Sequence, residues 1–215
     1  EKQEARADDT CFVKEVRFAG KTDLVVQVQE IMDGDYGLYT WPSSSVLAEY
    51  IWLHPNEFQG KRVVELGCGT CVAGIVAAKV GAQVTLTDAK EMPRVLRNAK
   101  QSCGMNNVEC VVQGLTWGSF DFEALTLGPD LAIGADIFFD SSQQDFDDIL
   151  STVSFWQCPL LVVYQHRGEG LSSIGDLLER WELVMRTIPL DGLSHAEHSP
   201  AELQMFWLEP SAKGC

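Results

Sequence analysis

Apolar residues along this chain fall into two kinds of segment that alternate. Short runs such as Arg62-Val63-Val64-Glu65-Leu66 are bounded by glycine or charged residues and have the length of buried strands. Longer stretches carry apolar residues at helical spacing. The pattern predicts strands over residues 62–66, 83–87, 108–113, 131–135, 160–164, 181–188 and 203–208. It predicts helices over 72–80, 92–103, 145–155 and 174–180. Gly81 stands where the first of these helices should stop. Such alternation implies an α/β fold, a mostly parallel sheet with helices on both faces. Only residues 189–200, with no clear helix, separate the last two strands, so these are expected to close the sheet as an antiparallel pair.

The N-terminal part has a different rhythm. Residues 1–10 are charged and read as a tail. Residues 12–18 and 24–31 read as strands joined by the Ala19-Gly20-Lys21-Thr22 turn, with Val26, Val28 and Glu30 alternating with their neighbours. Asp33-Gly34-Asp35 reads as a further turn. Trp41-Pro42 then opens a helix through Leu53. Ser43, Ser44 and Ser45 offer capping oxygens, and Pro55 ends it. The expected organisation is a tail and β-hairpin extension over residues 1–33, then one domain over 34–215, without internal repeat or linker.

Composition narrows the function classes. The chain has 215 residues, 46% hydrophobic and 22% charged, as in an ordinary soluble domain. Its formal net charge of −15 opposes nucleic-acid phosphates and anionic membranes, so neither is an expected partner, whereas cationic protein segments are compatible. No apolar run approaches the roughly 20 residues of a membrane span, and the charged start lacks the apolar core of a secretory signal. Seven scattered cysteines, an odd number, fit free thiols in a reducing compartment, cytoplasm or nucleus.

The chemistry concentrates between residues 61 and 88. A strand runs into Gly67-Cys68-Gly69-Thr70, and a helix containing Gly74 follows at once. Glycines let backbone turn sharply beside a ligand, at the carboxyl ends of the strands. A dinucleotide fingerprint requires a third glycine three residues after the second, and Val72 stands there. Glu65, two residues before the loop, suits an amino-acid ammonium group better than a pyrophosphate. Asp88, ending the next strand, can accept from both ribose hydroxyls. Together they point to S-adenosylmethionine. Cys68-Gly69-Thr70-Cys71 also spells a thioredoxin-like C-x-x-C, a reading that leaves Glu65 and Asp88 unexplained. No second cysteine or histidine pair lies at zinc-ligand spacing, so no metal is expected.

These motifs carry a resemblance. Glu65-Leu66-Gly67-Cys68-Gly69-Thr70, Thr87-Asp88, Gly114-Leu115-Thr116-Trp117-Gly118 and Gly134-Ala135-Asp136-Ile137-Phe138-Phe139 resemble the methyltransferase-like seven-β-strand protein methyltransferases. Residues 39–50 and 136–150 are most similar to the branch of methyltransferase-like protein 23, associated with histone-arginine methylation. The resemblance covers residues 34–190. It implies a Rossmann-like, seven-stranded class I methyltransferase sheet. It also implies site roles: Trp41 lining the pocket, Gly67, Cys68 and Gly69 along the methionine portion, Asp88 on the ribose, Trp117 beside the adenine and Ala135 near the sulfonium.

Methyl transfer requires an acceptor with a free lone pair. Deprotonation at neutral pH costs about 4–5 kcal/mol for lysine and roughly 7–9 kcal/mol for arginine. Asp136 and Phe139 match the family's D-x-x-F/Y substrate motif, a carboxylate and an aromatic face for a cationic side chain. Asp140 adds a second carboxylate, which favours arginine, although Asp140-Ser141-Ser142 is also an ordinary capping stretch. His166 ends the fifth strand near the same edge, and His195 and His198 read as solvated loop residues. The expected activity is methylation of a protein arginine or lysine, with a histone arginine favoured by resemblance. A small-molecule methyltransferase, a non-catalytic cofactor-binding module and a nicotinamide-dependent enzyme stay open on the same fold.

Overall fold

A computed structural model describes residues 11–31, 38–138, 143–165, 174–199 and 202–211. The tail, the Asp33-Gly34-Asp35 turn, Phe139, Asp140, Ser141, Ser142 and His166 lie outside the described residues.

The strand-and-helix alternation folds as β3 (Arg62–Leu66), α2 (Val72–Lys79), β4 (Gln83–Asp88), α3 (Pro93–Met105), β5 (Val111–Gly114), α4 (Phe122–Leu127), β6 (Leu131–Ala135), α5 (Gln143–Trp156), β7 (Leu160–Gln165), α6 (Ile174–Arg180), β8 (Leu183–Ile188), α7 (Ser194–Glu197) and β9 (Leu203–Pro210). It is preceded by β1 (Cys11–Phe18), β2 (Leu24–Ile31) and α1 (Pro42–Leu53). One seven-stranded sheet has the order β5-β4-β3-β6-β7-β9-β8, and β1 and β2 pair separately. β3 to β7 pair in parallel, whereas β9 runs antiparallel to both β7 and β8. The last two strands do form the expected antiparallel pair, but β9 inserts between β7 and β8 rather than adding at the edge.

Successive strand residues feed opposite faces. Val63, Leu131, Ile133, Leu161 and Val163 join a core with α1, α2, α3 and the hairpin. Val64, Ala132, Leu160, Val162 and Tyr164 join another with α4, α5 and α6. That double burial explains why the sheet strands read as continuous apolar runs.

Several local expectations are corrected. The third strand starts at Val111, not residue 108. Asn107 adopts a left-handed φ of 53° and Val108 donates to the Cys103 carbonyl at 3.2 Å, so those residues are still turning. α4 was not anticipated, because Phe122 and Leu125 are exposed and give no apolar period. Its signals are local: Asp121 Oδ1 accepts from the Ala124 N–H at 3.1 Å, and Gly128 ends it at φ 43°. Trp181 and Glu182 form the turn before β8. The serines after Trp41 do not cap α1. Ser44 instead donates its N–H and hydroxyl to the Trp41 carbonyl, at 3.1 and 2.8 Å.

The hairpin is tied into the same core. Val16, Phe18, Val26 and Val28 are buried. Asn98 and Ser102 on α3 and Asn106 at its C-terminal cap, spaced four residues apart, bind the β2 backbone. Asn98 donates to the Gln29 carbonyl at 2.8 Å, Ser102 accepts from the Gln29 N–H at 3.2 Å and Asn106 accepts from the Gln27 N–H at 3.0 Å. His195, expected in solvent, contacts the Arg17 carbonyl at 3.0 Å and the Phe18 ring at 5.1 Å.

Buried Glu49 on α1 holds the start of α7. It accepts from the Ser194 N–H at 3.0 Å, the Ser194 hydroxyl at 2.6 Å and the His195 N–H at 2.8 Å. Glu49→Ala leaves these donors without their acceptor and is expected to cost about 2–3 kcal/mol. Urea unfolding measures this, and a loss under about 0.5 kcal/mol would show the contacts to be incidental.

Candidate active site

The carboxyl ends of β3, β4 and β6 open into a cavity of about 620 Å³. All eight residues assigned to cofactor binding from the sequence line it: Trp41, Glu65, Gly67, Cys68, Gly69, Asp88, Trp117 and Ala135. Asp136 lines it as well, whereas Phe139 and Asp140 lie outside the described residues.

The glycine loop forms the floor. Gly67 and Gly69 have φ of 58° and 50°, left-handed values that favour glycine. A Cβ on Gly67 would come within 3.1 Å of Ile137 and 3.4 Å of Trp117, so the missing side chain keeps this floor open. Asp88 braces the loop: its Oδ2 accepts from the Gly69 N–H at 2.9 Å and its Oδ1 from the Ala89 N–H at 2.9 Å. Burial raises the pKa of Asp88, and these two donors oppose the rise.

Glu65 points under α2, where its Oε2 accepts from the Gly74 N–H at 3.0 Å. Gly74 must lack a side chain, since its Cβ would meet Leu86 at 2.2 Å and Glu65 at 2.4 Å. Burial pushes Glu65 from an ordinary 4.5 up to about 8, against the opposing Gly74 donor. The folded state therefore binds a proton that the unfolded state releases, and stability falls as pH rises between those values. Between pH 5.5 and 7.5, wild type should lose about 2–3 kcal/mol relative to Glu65→Gln in urea unfolding. Parallel pH curves for the two proteins would rule this out.

An aromatic wall stands at the start of α1. Trp41 meets Tyr39 edge-on at 5.4 Å, and Lys14 of the hairpin lies 5.2 Å over the Tyr39 ring. Glu30 at the end of β2 accepts from the Thr40 N–H at 2.9 Å, and the Thr40 and Thr70 hydroxyls are 3.1 Å apart. The hairpin thus braces both this wall and the glycine loop.

Asp136 follows β6 with a left-handed φ of 60°, a conformation that aspartate and asparagine tolerate better than most residues. It is 5% exposed, and its Oδ1 accepts from the Gln165 N–H at 3.1 Å. Sequence reasoning missed Tyr39, Glu91, Met92, Asp145 and Asp148, which also line the cavity. Glu91 and Met92 follow a strand end, a recognisable position. Asp145 and Asp148, three apart on α5, carry no such signal. Lining carboxylates are therefore Glu65, Asp88, Glu91, Asp136, Asp145 and Asp148, and no lysine, arginine or histidine joins them among the described residues.

Other chemistries fit poorly. Cys68 and Cys71 are buried, and burial raises both thiols well above their ordinary pKa, the reverse of an activated C-x-x-C. Among the described residues, no group of three His, Cys, Asp or Glu could hold a metal, and no helix is long and apolar enough to cross a membrane. An acidic cavity without cations is poorly suited to a pyrophosphate. Its open glycine floor, carboxylates and Trp117 fit a nucleoside joined to an amino acid.

Known proteins resemble this chain in sequence and in fold. The lysine methyltransferase family matches residues 21–181. Histone-arginine methyltransferase METTL23 of Xenopus laevis is 42% identical over 172 residues, covering 77% of this chain and 72% of the relative. Protein N-lysine methyltransferase METTL21A of Mus musculus is 37% identical over 146 residues, covering 65% and 66%. In fold, the T. thermophilus 16S rRNA methyltransferase RsmC, solved with AdoMet and guanosine, superposes with a TM-score of 0.66 at 17% identity, covering 97% of this chain and 53% of that one. The class I methyltransferase architecture, the matched residues and the level of identity together show that the chain belongs to the lysine methyltransferase family of seven-β-strand, S-adenosylmethionine-dependent protein methyltransferases.

Proposed function

We propose that this methyltransferase acts on an arginine side chain in a basic protein segment, with a histone as the favoured target. The acidic cavity carries the reading. With Glu65 and Asp88 assigned to the cofactor, Glu91, Asp136, Asp145 and Asp148 remain for a cationic acceptor. The METTL23 relative's histone-arginine activity supports arginine, while the METTL21A relative's lysine activity defines the competing outcome. The same reading puts the protein's work in the nucleus or cytoplasm.

When bound, S-adenosylmethionine supplies a methyl carbon on a sulfonium for in-line displacement by a nitrogen lone pair. Gly67, Cys68 and Gly69 hold its methionine portion, Asp88 accepts from the ribose and Trp117 flanks the adenine. Glu65 faces the ammonium, directly or through water, and Trp41 and Ala135 shape the space around the reacting centre. Asp136 orients the guanidinium and takes up its proton as the nitrogen becomes nucleophilic. Phe139 completes the D-x-x-F/Y substrate motif with Asp136, and Asp140, next in sequence, adds a second carboxylate to this assignment. Preorganised carboxylates at that point stabilise developing charge without reorganisation.

Incubation with isotopically labelled S-adenosylmethionine and core histones, followed by mass spectrometry, should give methylarginine. Methyl-lysine alone would move the acceptor assignment to lysine, and label confined to small molecules would overturn the protein-substrate reading.

A further inference from the structure

Among the described residues, three aromatic residues line the cavity: Tyr39, Trp41 and Trp117. Trp117 is assigned to the adenine and Trp41 to the space around the reacting centre. Tyr39 belongs to neither assignment. It is 47% exposed, which puts it at the rim. A cation already rests on its ring, with Lys14 Nζ 5.2 Å from the centroid. Lys14 belongs to β1 and does not line the cavity, so it reaches the ring from the hairpin side. Glu30 balances that charge at 3.1 Å and also accepts from the Thr40 N–H at 2.9 Å. The Thr40 hydroxyl lies 3.1 Å from that of Thr70 in the glycine loop. The backbone beside Tyr39 is thus anchored, and contacts with Lys14 and with Trp41, edge-on at 5.4 Å, hold the ring itself.

We propose that Tyr39 is a substrate-binding residue at the cavity mouth, its ring receiving the cationic acceptor side chain on its way to Asp136. The inference rests on the proposed cationic protein substrate. The face of an aromatic ring carries partial negative charge and attracts a cation, as the Lys14 contact shows on this same ring. A planar guanidinium also stacks on such a face, and its apolar stem packs beside it. Glu30 neutralises Lys14, so the hairpin presents no net positive charge to oppose the incoming group.

The ring and the carboxylate divide the work. Asp136 takes up a proton as the nitrogen becomes nucleophilic, so its effect appears in the transfer step. A ring face has no proton to take or give. It attracts the side chain equally before and during transfer, and such uniform binding lowers KM and leaves kcat unchanged. Removing the ring is therefore expected to raise KM for the protein substrate about five- to twentyfold, the scale of one partly desolvated cation–ring contact.

The test is steady-state transfer from labelled S-adenosylmethionine to core histones by the full chain and its variants. Tyr39→Leu keeps an apolar side chain without the ring, and should show the KM increase with kcat within about twofold of wild type. Tyr39→Phe keeps the ring and should stay within about twofold on both. Calorimetry with S-adenosylhomocysteine should give affinities within about threefold of wild type for both variants. Lys14→Met removes the hairpin's contact and leaves the ring, so it should not raise KM. An unchanged KM in Tyr39→Leu, or an equal rise in Tyr39→Phe, would overturn the proposal. So would a matching rise in Lys14→Met, which would make Tyr39 a brace, or a parallel loss of cofactor affinity. If the product is methyl-lysine, the arginine assignment fails instead, and the same KM comparison still judges Tyr39, because an ammonium also binds a ring face. Label confined to small molecules would overturn both.

Discussion

Replacing Asp136 by asparagine is expected to slow methyl transfer about 100- to 1,000-fold while affinity for S-adenosylhomocysteine changes by less than about threefold. The separation follows from the proposed role. The guanidinium of arginine resists deprotonation by roughly 7–9 kcal/mol at neutral pH. A carboxylate beside it supplies a proton acceptor and charge stabilisation that an amide of the same shape does not. Asparagine is also the substitution least disturbing to the backbone. It tolerates the left-handed φ of 60°, and its carbonyl oxygen can still accept from the Gln165 N–H. Thermal stability should therefore stay close to wild type. Asp136→Ala keeps neither feature and should lose stability by about 1–2 kcal/mol in addition to activity. Single-turnover transfer to a histone substrate, set beside calorimetry with S-adenosylhomocysteine, reads both quantities. Equal losses of transfer and cofactor affinity would mean that Asp136 holds the cofactor or the loop instead of the acceptor.

How much of this was legible in sequence depended on whether a residue's role was set locally. The strand ending at Leu66, the glycine loop and Asp88 announce themselves because turn geometry and strand length are local properties. Sheet burial on both faces wrote itself into the chain as uninterrupted apolar runs. The position of β9 between β7 and β8 could not be read, since an antiparallel strand at an edge and one inserted inside have the same pattern. α4 escaped because its exposed Phe122 and Leu125 break helical period, leaving only the Asp121 cap and Gly128 stop. In the site, the strand-end residues were found and Asp145 and Asp148 were not. Their place in the cavity depends on how α5 docks against β6 and β7, which no spacing in the helix records. The cysteines make the same point: the C-x-x-C spacing drew attention to Cys68 and Cys71, whereas the Cys71 thiol donates to the Ala99 carbonyl on α3 at 3.8 Å.

Asp88→Ala is expected to raise the dissociation constant for S-adenosylhomocysteine about 100- to 1,000-fold. In the proposed role, the carboxylate accepts from two ribose hydroxyls, and hydrogen bonds to a charged acceptor contribute about 1.5–3 kcal/mol each. It also holds the loop, so alanine leaves the Gly69 and Ala89 N–H groups without their acceptor. The unliganded protein should suffer less than the complex. Burial already raises the pKa of Asp88, so removing the carboxylate relieves a desolvated charge while losing two backbone contacts. These effects oppose each other, and the net change in stability should stay within about 1 kcal/mol. Asparagine sharpens the test. It restores one acceptor, but its amide nitrogen is a donor that cannot face the Gly69 or Ala89 N–H and accept from them. Its affinity should fall between wild type and alanine, about 10- to 30-fold weaker than wild type. If Asp88→Ala bound S-adenosylhomocysteine within about threefold of wild type, the ribose would have to rest elsewhere, and Asp88 would be only a brace for the glycine loop.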